Sequence, residues 1–105
     1  MTKQAFLHLF ADTAFIEEET DDDNNTALIL ELEPEGDYLQ ITDDLGFFPA
    51  SPESSLVAAR YTNEGAFRWA KNFKTAQPIL ELYKAAKTPL EFAALVAEYE
   101  PPEAY

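Results

Sequence analysis

The spacing of apolar positions predicts strands up to about residue 62 and helices after it. Residues 4–10, QAFLHLF, place Phe6, His8 and Phe10 on one side and Ala5, Leu7 and Leu9 on the other, so a central strand, apolar on both faces, is expected. Thr13, Ala14, Phe15 and Ile16 extend it or begin a short element of their own. Residues 17–25, EEETDDDNN, have nothing to bury and read as a solvated loop or hairpin tip. Residues 26–33, TALILELE, alternate cleanly, with Leu28, Leu30 and Leu32 inward and Ile29, Glu31 and Glu33 outward. Pro34, Glu35 and Gly36 make a turn, and residues 37–42, DYLQIT, return with Leu39 and Ile41 on the inner face. Asp43, Asp44, Leu45 and Gly46 end that strand. The prolines of residues 47–53, FFPASPE, oppose pairing, so this stretch reads as a connector in which Phe47 and Phe48 plug the edge of the core. Residues 55–62, SLVAARYT, fit a fourth strand because Val57, Tyr61 and Thr62 favour β structure. The competing reading is a helix capped by Ser51 with Pro52 at its first position.

From Asn63 onward the apolar spacing lengthens to that of a helix. Residues 64–74 align Phe67, Ala70, Phe73 and Lys74 and predict a first helix. Pro78 fits only a first turn, so a second helix starts near Ala76, with Ile79, Tyr83 and Ala86 as its stripe. Thr88, Pro89 and Glu91 form a capping box for a third, whose apolar positions are Phe92, Leu95, Val96 and Tyr99. The expected fold class is α+β: an N-terminal antiparallel β-meander of three or four strands, then two or three C-terminal helices packed on one face. Residues 1–105 read as a single acidic domain, because neither half has core enough to stand alone.

Charge sharpens this picture. Residues 1–53 hold fourteen acids against one base, Lys3, while residues 54–105 hold six of each, so the whole net charge of −13 sits in the first half. That value exceeds the ~2–8 typical of a small soluble domain. A field of this sign repels nucleic acid and anionic membranes and attracts cationic proteins. With no cysteine, disulfides, thiol catalysis and Cys-based zinc sites are excluded. No run reaches the ~18 apolar residues of a membrane span and the N-terminus lacks a secretory core, so a cytoplasmic location is expected.

Candidate chemistry is sparse. His8 is the only histidine, lies in an apolar run and has no evident catalytic partner, so it reads as a structural residue. The six carboxylates of residues 17–23 lack the alternation and glycine of a calcium loop, and no metal site is assigned. The three glycines form no phosphate cradle. Carboxylate-pair hydrolysis needs a cleft that a small meander rarely provides. Arg68, Lys71 and Lys74, interleaved with Phe67 and Trp69, resemble a small nucleic-acid patch, but against the overall charge they read as a solvated helix face paired with the acidic half. No enzyme activity and no cofactor are expected.

Carboxylate spacing is the most informative remaining signal. Glu31, Glu33, Glu35 and Asp37 occupy alternate positions. In extended chain such residues recur every ~6.6–6.8 Å. Alternate phosphates of a DNA strand, at ~3.4 Å per phosphate, recur at nearly that interval. Glu17, Glu18, Glu19, Asp21, Asp22 and Asp23, with Asp43 and Asp44, widen the field. These acids, anchored by exposed aromatics among Phe47, Phe48 and Tyr38, are the expected partner-binding surface. In size, acidity and lack of motifs the chain resembles small phage anti-defence proteins, including anti-CRISPR proteins and DNA mimics. That resemblance implies an inhibitor that occludes a basic nucleic-acid-binding protein or complex, with no direct contact to nucleic acid or membrane. The alternatives are a bacterial immunity protein against a cationic nuclease toxin and an adaptor that homodimerises through its helices. A small enzyme is a further alternative, and it needs a pocket holding His8 and two carboxylates.

Overall fold

A computed structural model describes residues 3–19, 26–32, 36–43, 45, 48–49 and 55–99. Helix α1 (Lys3–Leu9) opens the chain, followed by strands β1 (Ile16–Glu19), β2 (Thr26–Leu32), β3 (Asp37–Asp43), β4 (Leu56–Tyr61) and β5 (Phe67–Phe73), then helices α2 (Gln77–Ala85) and α3 (Pro89–Glu98). The strands form one antiparallel sheet in the order β1-β2-β3-β4-β5. The α+β class and the helices packed on a meander are as expected, but the described residues form five strands rather than three or four. Among the described residues no helix is long and apolar enough to cross a membrane.

Two segments differ from the sequence-based expectation. Residues 4–10 lie in and just after α1, not in a strand. This stretch has no β-branched residue, and Gln4, Ala5, Leu7 and Leu9 favour helix. Its buried residues, Phe6 and Phe10, lie four apart, so one helical face is apolar. Residues 67–73 form the edge strand β5 rather than a helix. Its inward positions are Trp69, Lys71 and Phe73, and Lys71 obscures the alternation. The Lys71 stem lies at the sheet margin while its Nζ donates to the Tyr99 carbonyl at 2.9 Å, neutralising the C-terminal end of α3. The hairpin before β5 is closed by Thr62, whose Oγ1 accepts from the amides of Glu64 and Ala66, with Gly65 at φ 91°. Residues 56–61 are strand, as Val57, Tyr61 and Thr62 indicate.

Register decides which face each strand residue uses. Glu31 lies opposite Tyr38 and Leu32 opposite Asp37, so odd positions of β2 share a face with even positions of β3. On one face Leu28, Leu30, Leu32, Leu39, Ile41, Leu56, Ala58 and Phe73 join Phe6 and Phe10, Ala76 and Ile79, and Phe92, Ala93 and Val96 in a single buried cluster. All three helices contribute to it. Phe15 ties the layer together, with ring centroids 5.4 Å from Phe10 and 5.9 Å from Phe92. The Tyr83 hydroxyl accepts from the Ala14 amide at 2.9 Å, fastening α2 to the α1–β1 link. The start of α3 is built as the sequence indicates: Thr88 Oγ1 accepts from the Glu91 amide at 3.0 Å. Glu91 Oε1 in turn accepts from the Lys87 amide at 2.6 Å.

Candidate functional site

The second face of the sheet carries no described helix, and it holds the candidate site. Its buried residues Ala27, Ile29 and Ala59 lie outside the helix-covered cluster. Paired residues of an antiparallel sheet point to the same side. The register therefore lines up Glu31, Tyr38, Tyr61 and Phe67 as one row across four strands. Tyr38 stacks on Tyr61 with ring centroids 5.4 Å apart, and Tyr61 meets Phe67 edge-on at 5.9 Å. Phe67 is 62% exposed, unusual for so large an apolar side chain. The next row is Ile16, Ile29, Gln40, Ala59 and Ala70. Its shorter side chains lie low beside the standing rings. An open groove of about 440 Å³ results, with Ile29 and Gln40 in it, Tyr38 and Glu31 on one side, Glu18 and Glu19 on another, and Gly36 and Asn63 at one end.

The edge strand β1 supplies the densest described charge. Ile16, Glu17, Glu18 and Glu19 are all exposed. Glu18 lies opposite Ala27 and so points to the open face, whereas Glu17 and Glu19 alternate to the other side of the ribbon. Thr26 Oγ1 donates to Glu17 Oε2 at 2.7 Å, which holds that carboxylate against β2. These three glutamates are strand residues rather than part of a loop.

The expected contact residues are only partly brought together. Glu17, Glu18, Glu19 and Glu31 are all exposed, but only Glu18 and Glu31 point to the open face, two rows apart. Asp37 does not join them: it is 7% exposed and faces the helix side, paired in register with Leu32. Arg60 Nε donates to its Oδ2 at 3.0 Å and Arg68 Nη1 lies 3.7 Å from the same oxygen. Asp37 and Arg60 are diagonal neighbours on that side, which is why they meet. The phosphate-spaced row therefore breaks at the hairpin, because Glu31 and Asp37 lie on opposite faces. The pairing of Leu39 and Ile41 with Leu30 and Leu28 already required this, since Asp37 has their parity. Asp43 is half-buried, and its Oδ1 accepts from the Leu45 amide at 2.9 Å to close the end of β3. Phe48 packs edge-on against Phe6 at 5.7 Å, so it plugs the core, as its connector position suggested, and is not an exposed anchor. Asp21, Asp22, Asp23, Glu33, Glu35, Asp44 and Phe47 lie outside the described residues.

The basic residues expected to pair with the acidic half do so in part, through Arg60 and Arg68 on Asp37. The sequence offers Tyr38 as a candidate anchor, but not Tyr61 or Phe67. Their side-by-side placement depends on pairing between β3, β4 and β5, and reading β5 as helix hid it. Among the described residues no group of three or more His, Cys, Asp or Glu is placed to hold a metal ion. His8 is exposed on α1, across the sheet from the groove. The outward helical positions Gln77, Glu81, Lys84, Glu91 and Glu98 are polar and exposed.

Compared with known protein families, curated proteins and solved structures, the chain matches no family model and shows no significant likeness to any protein or structure.

Proposed function

We propose that this chain is a non-catalytic binding protein that occupies a basic, nucleic-acid-binding surface of another protein. Phage anti-defence inhibitors of anti-CRISPR or DNA-mimic type, and immunity proteins against nuclease toxins, act by this kind of occlusion. One observation carries the reading: the exposed acidic edge Glu17, Glu18 and Glu19 adjoins a sheet face that carries no described helix and bears Glu31 and the row Tyr38, Tyr61 and Phe67. Carboxylates at the margin accelerate encounter with a cationic partner and reject phosphates. The exposed Phe67 and the half-buried rings of Tyr38 and Tyr61 supply the contact area that slows dissociation. The mode of occlusion is an acidic and aromatic surface, not a row of carboxylates at phosphate spacing. An adaptor that dimerises through its helices is less well supported, because the outward positions of α2 and α3 offer polar residues.

The test is inhibition of DNA binding by a basic protein captured on this chain at low ionic strength. Glu17→Gln, Glu18→Gln, Glu19→Gln and Glu31→Gln combined should lower the association rate by about tenfold or more and leave the melting temperature unchanged. Undiminished inhibition by that variant overturns the proposal.

A further inference from the structure

We infer that the groove on the open sheet face receives an arginine side chain, carried on an extended segment of the partner. This rests on the proposed function in requiring a basic partner, and it goes further by naming the group recognised and the residues that recognise it.

The groove has two properties that matter together. Its rim is anionic, with Glu31 on one side and Glu18 on another, Glu19 borders it from the edge strand, and among the described residues no Lys or Arg lines it. Its wall is aromatic: Tyr38 lies directly across from Glu31 in the β2–β3 register and is backed by Tyr61. A guanidinium is flat, delocalised and weakly hydrated, so it lies against a ring while offering paired N–H donors to a carboxylate. An ammonium has the charge without the flat fork. The Ile29 side chain gives the methylene stem of an arginine an apolar surface, and Gln40 and Asn63 offer amide oxygens further along. At about 440 Å³ the space is of the size that takes small ligands.

Stacked tyrosines on an open sheet also suit nucleobases. The rim argues against that occupant, since each base brings a phosphate toward Glu18, Glu19 and Glu31. The main chain at the groove's end is shaped as well. Gly36, at φ +87°, has Asn63 Cβ only 3.2 Å from where a side chain would begin, so any larger residue there crowds that end.

The test is an NMR titration of the full chain with four probes: a blocked Gly-Arg-Gly-Arg-Gly peptide, its lysine counterpart, its citrulline counterpart and oligouridylate. The arginine peptide should shift the amides of Ile29, Glu31, Tyr38 and Gln40. It should bind about two- to fivefold more tightly than the lysine peptide, the range a cation–ring contact at an exposed site provides. The citrulline peptide and oligouridylate should leave those amides unmoved. Glu31→Gln, at an exposed position, and Tyr38→Leu should each weaken the arginine peptide by a similar factor, with melting curves confirming that both variants fold. Equal binding of the lysine and arginine peptides, with shifts spread to remote acids such as Glu64, Glu81 and Glu98, overturns the inference. Shifts at Tyr38 and Tyr61 with oligouridylate overturn it in favour of a nucleic-acid site. If the arginine peptide misses the groove while a basic protein is still captured through Glu17, Glu18 and Glu19, the proposed function stands and the groove assignment falls. If the peptide fills the groove and no basic protein is captured, the reverse holds.

Discussion

Replacing Asp37 with alanine asks whether this carboxylate serves the fold or a contact surface. Its side chain is 10% exposed, that of Arg60 is 17% exposed, and the two meet at 3.0 Å. A hydrogen bond to a charged group is worth ~1.5–3 kcal/mol, and breaking a fully buried pair costs ~3–5 kcal/mol. An exposed pair contributes only ~0–1 kcal/mol. The Asp37–Arg60 pair sits nearer the buried limit. Arg68, with a side chain 52% exposed and 3.7 Å away, adds little. We expect Asp37→Ala to cost about 2–3 kcal/mol, mainly because the Arg60 guanidinium is stranded beside the core. For a domain of this size that lowers the melting temperature by about 10–20 °C, read by circular dichroism. Asp37→Leu combined with Arg60→Met should recover most of the loss, because removing both charges leaves nothing unpaired. A cost below about 0.5 kcal/mol for the single variant would refute the reasoning. So would a double variant no more stable than the single one. Loss of partner capture at an unchanged melting temperature would return Asp37 to the contact surface.

Other perturbations probe the remaining parts of the structure. Thr88→Ala removes the side-chain cap of α3 and should cost about 1 kcal/mol, seen as a lower urea midpoint at an unchanged slope. Phe92→Ala opens the junction of Phe15, Tyr83 and Phe92 and should cost about 3–5 kcal/mol, enough to leave much of the chain unfolded at 37 °C. Gly36→Ala should destabilise more than Gly65→Ala. Both have positive φ, but only Gly36 would press its new methyl against Asn63, whereas Gly65 faces open space. Equal midpoint shifts for the two would contradict this. Neutralising Glu17, Glu18 and Glu19 together should change stability by less than about 0.5 kcal/mol in the same assay, as these side chains are exposed.

Local chemistry made some of this fold legible. Thr88, Pro89 and Glu91 announce the start of α3, and clean alternation announces the β2–β3 hairpin with its register. These signals lie within a few residues and do not depend on what packs against them. The failures were at α1 and β5, where tertiary context decides. Residues 4–10 are largely apolar on both sides, so periodicity alone does not separate helix from strand; the helix propensity of Gln4, Ala5, Leu7 and Leu9 is the usable signal. In β5 a lysine occupies an inward position because the strand lies at the sheet edge, where a long side chain reaches the end of α3. The hairpin signal at Thr62, Asn63 and Gly65 was available and points to a strand after it. For the site, exposure of the acidic edge follows from composition. The aromatic row does not, because it exists only once three strands are in register.

Acidic residues on an edge strand also have a simpler use. Charge there stops the open edge from pairing with another chain, and Glu17, Glu18 and Glu19 serve that purpose whatever else they do. That explanation stops at β1. It does not account for Glu31, which lies on β2 and points to the open face beside Tyr38. Nor does it account for Phe67, 62% exposed on the opposite edge, where an aggregation-averse surface would place a polar group. Solubility favours interspersed charge, whereas here the second half of the chain is neutral and the first holds the entire −13. What unites Glu18, Glu31, Tyr38, Tyr61 and Phe67 is a single face, the one the helices leave uncovered. A face that combines one exposed and two half-buried rings with like charges is a poor surface for a free monomer and a good one for a cationic, partly apolar partner. The proposed function therefore rests on the sheet face, with the edge glutamates extending its field.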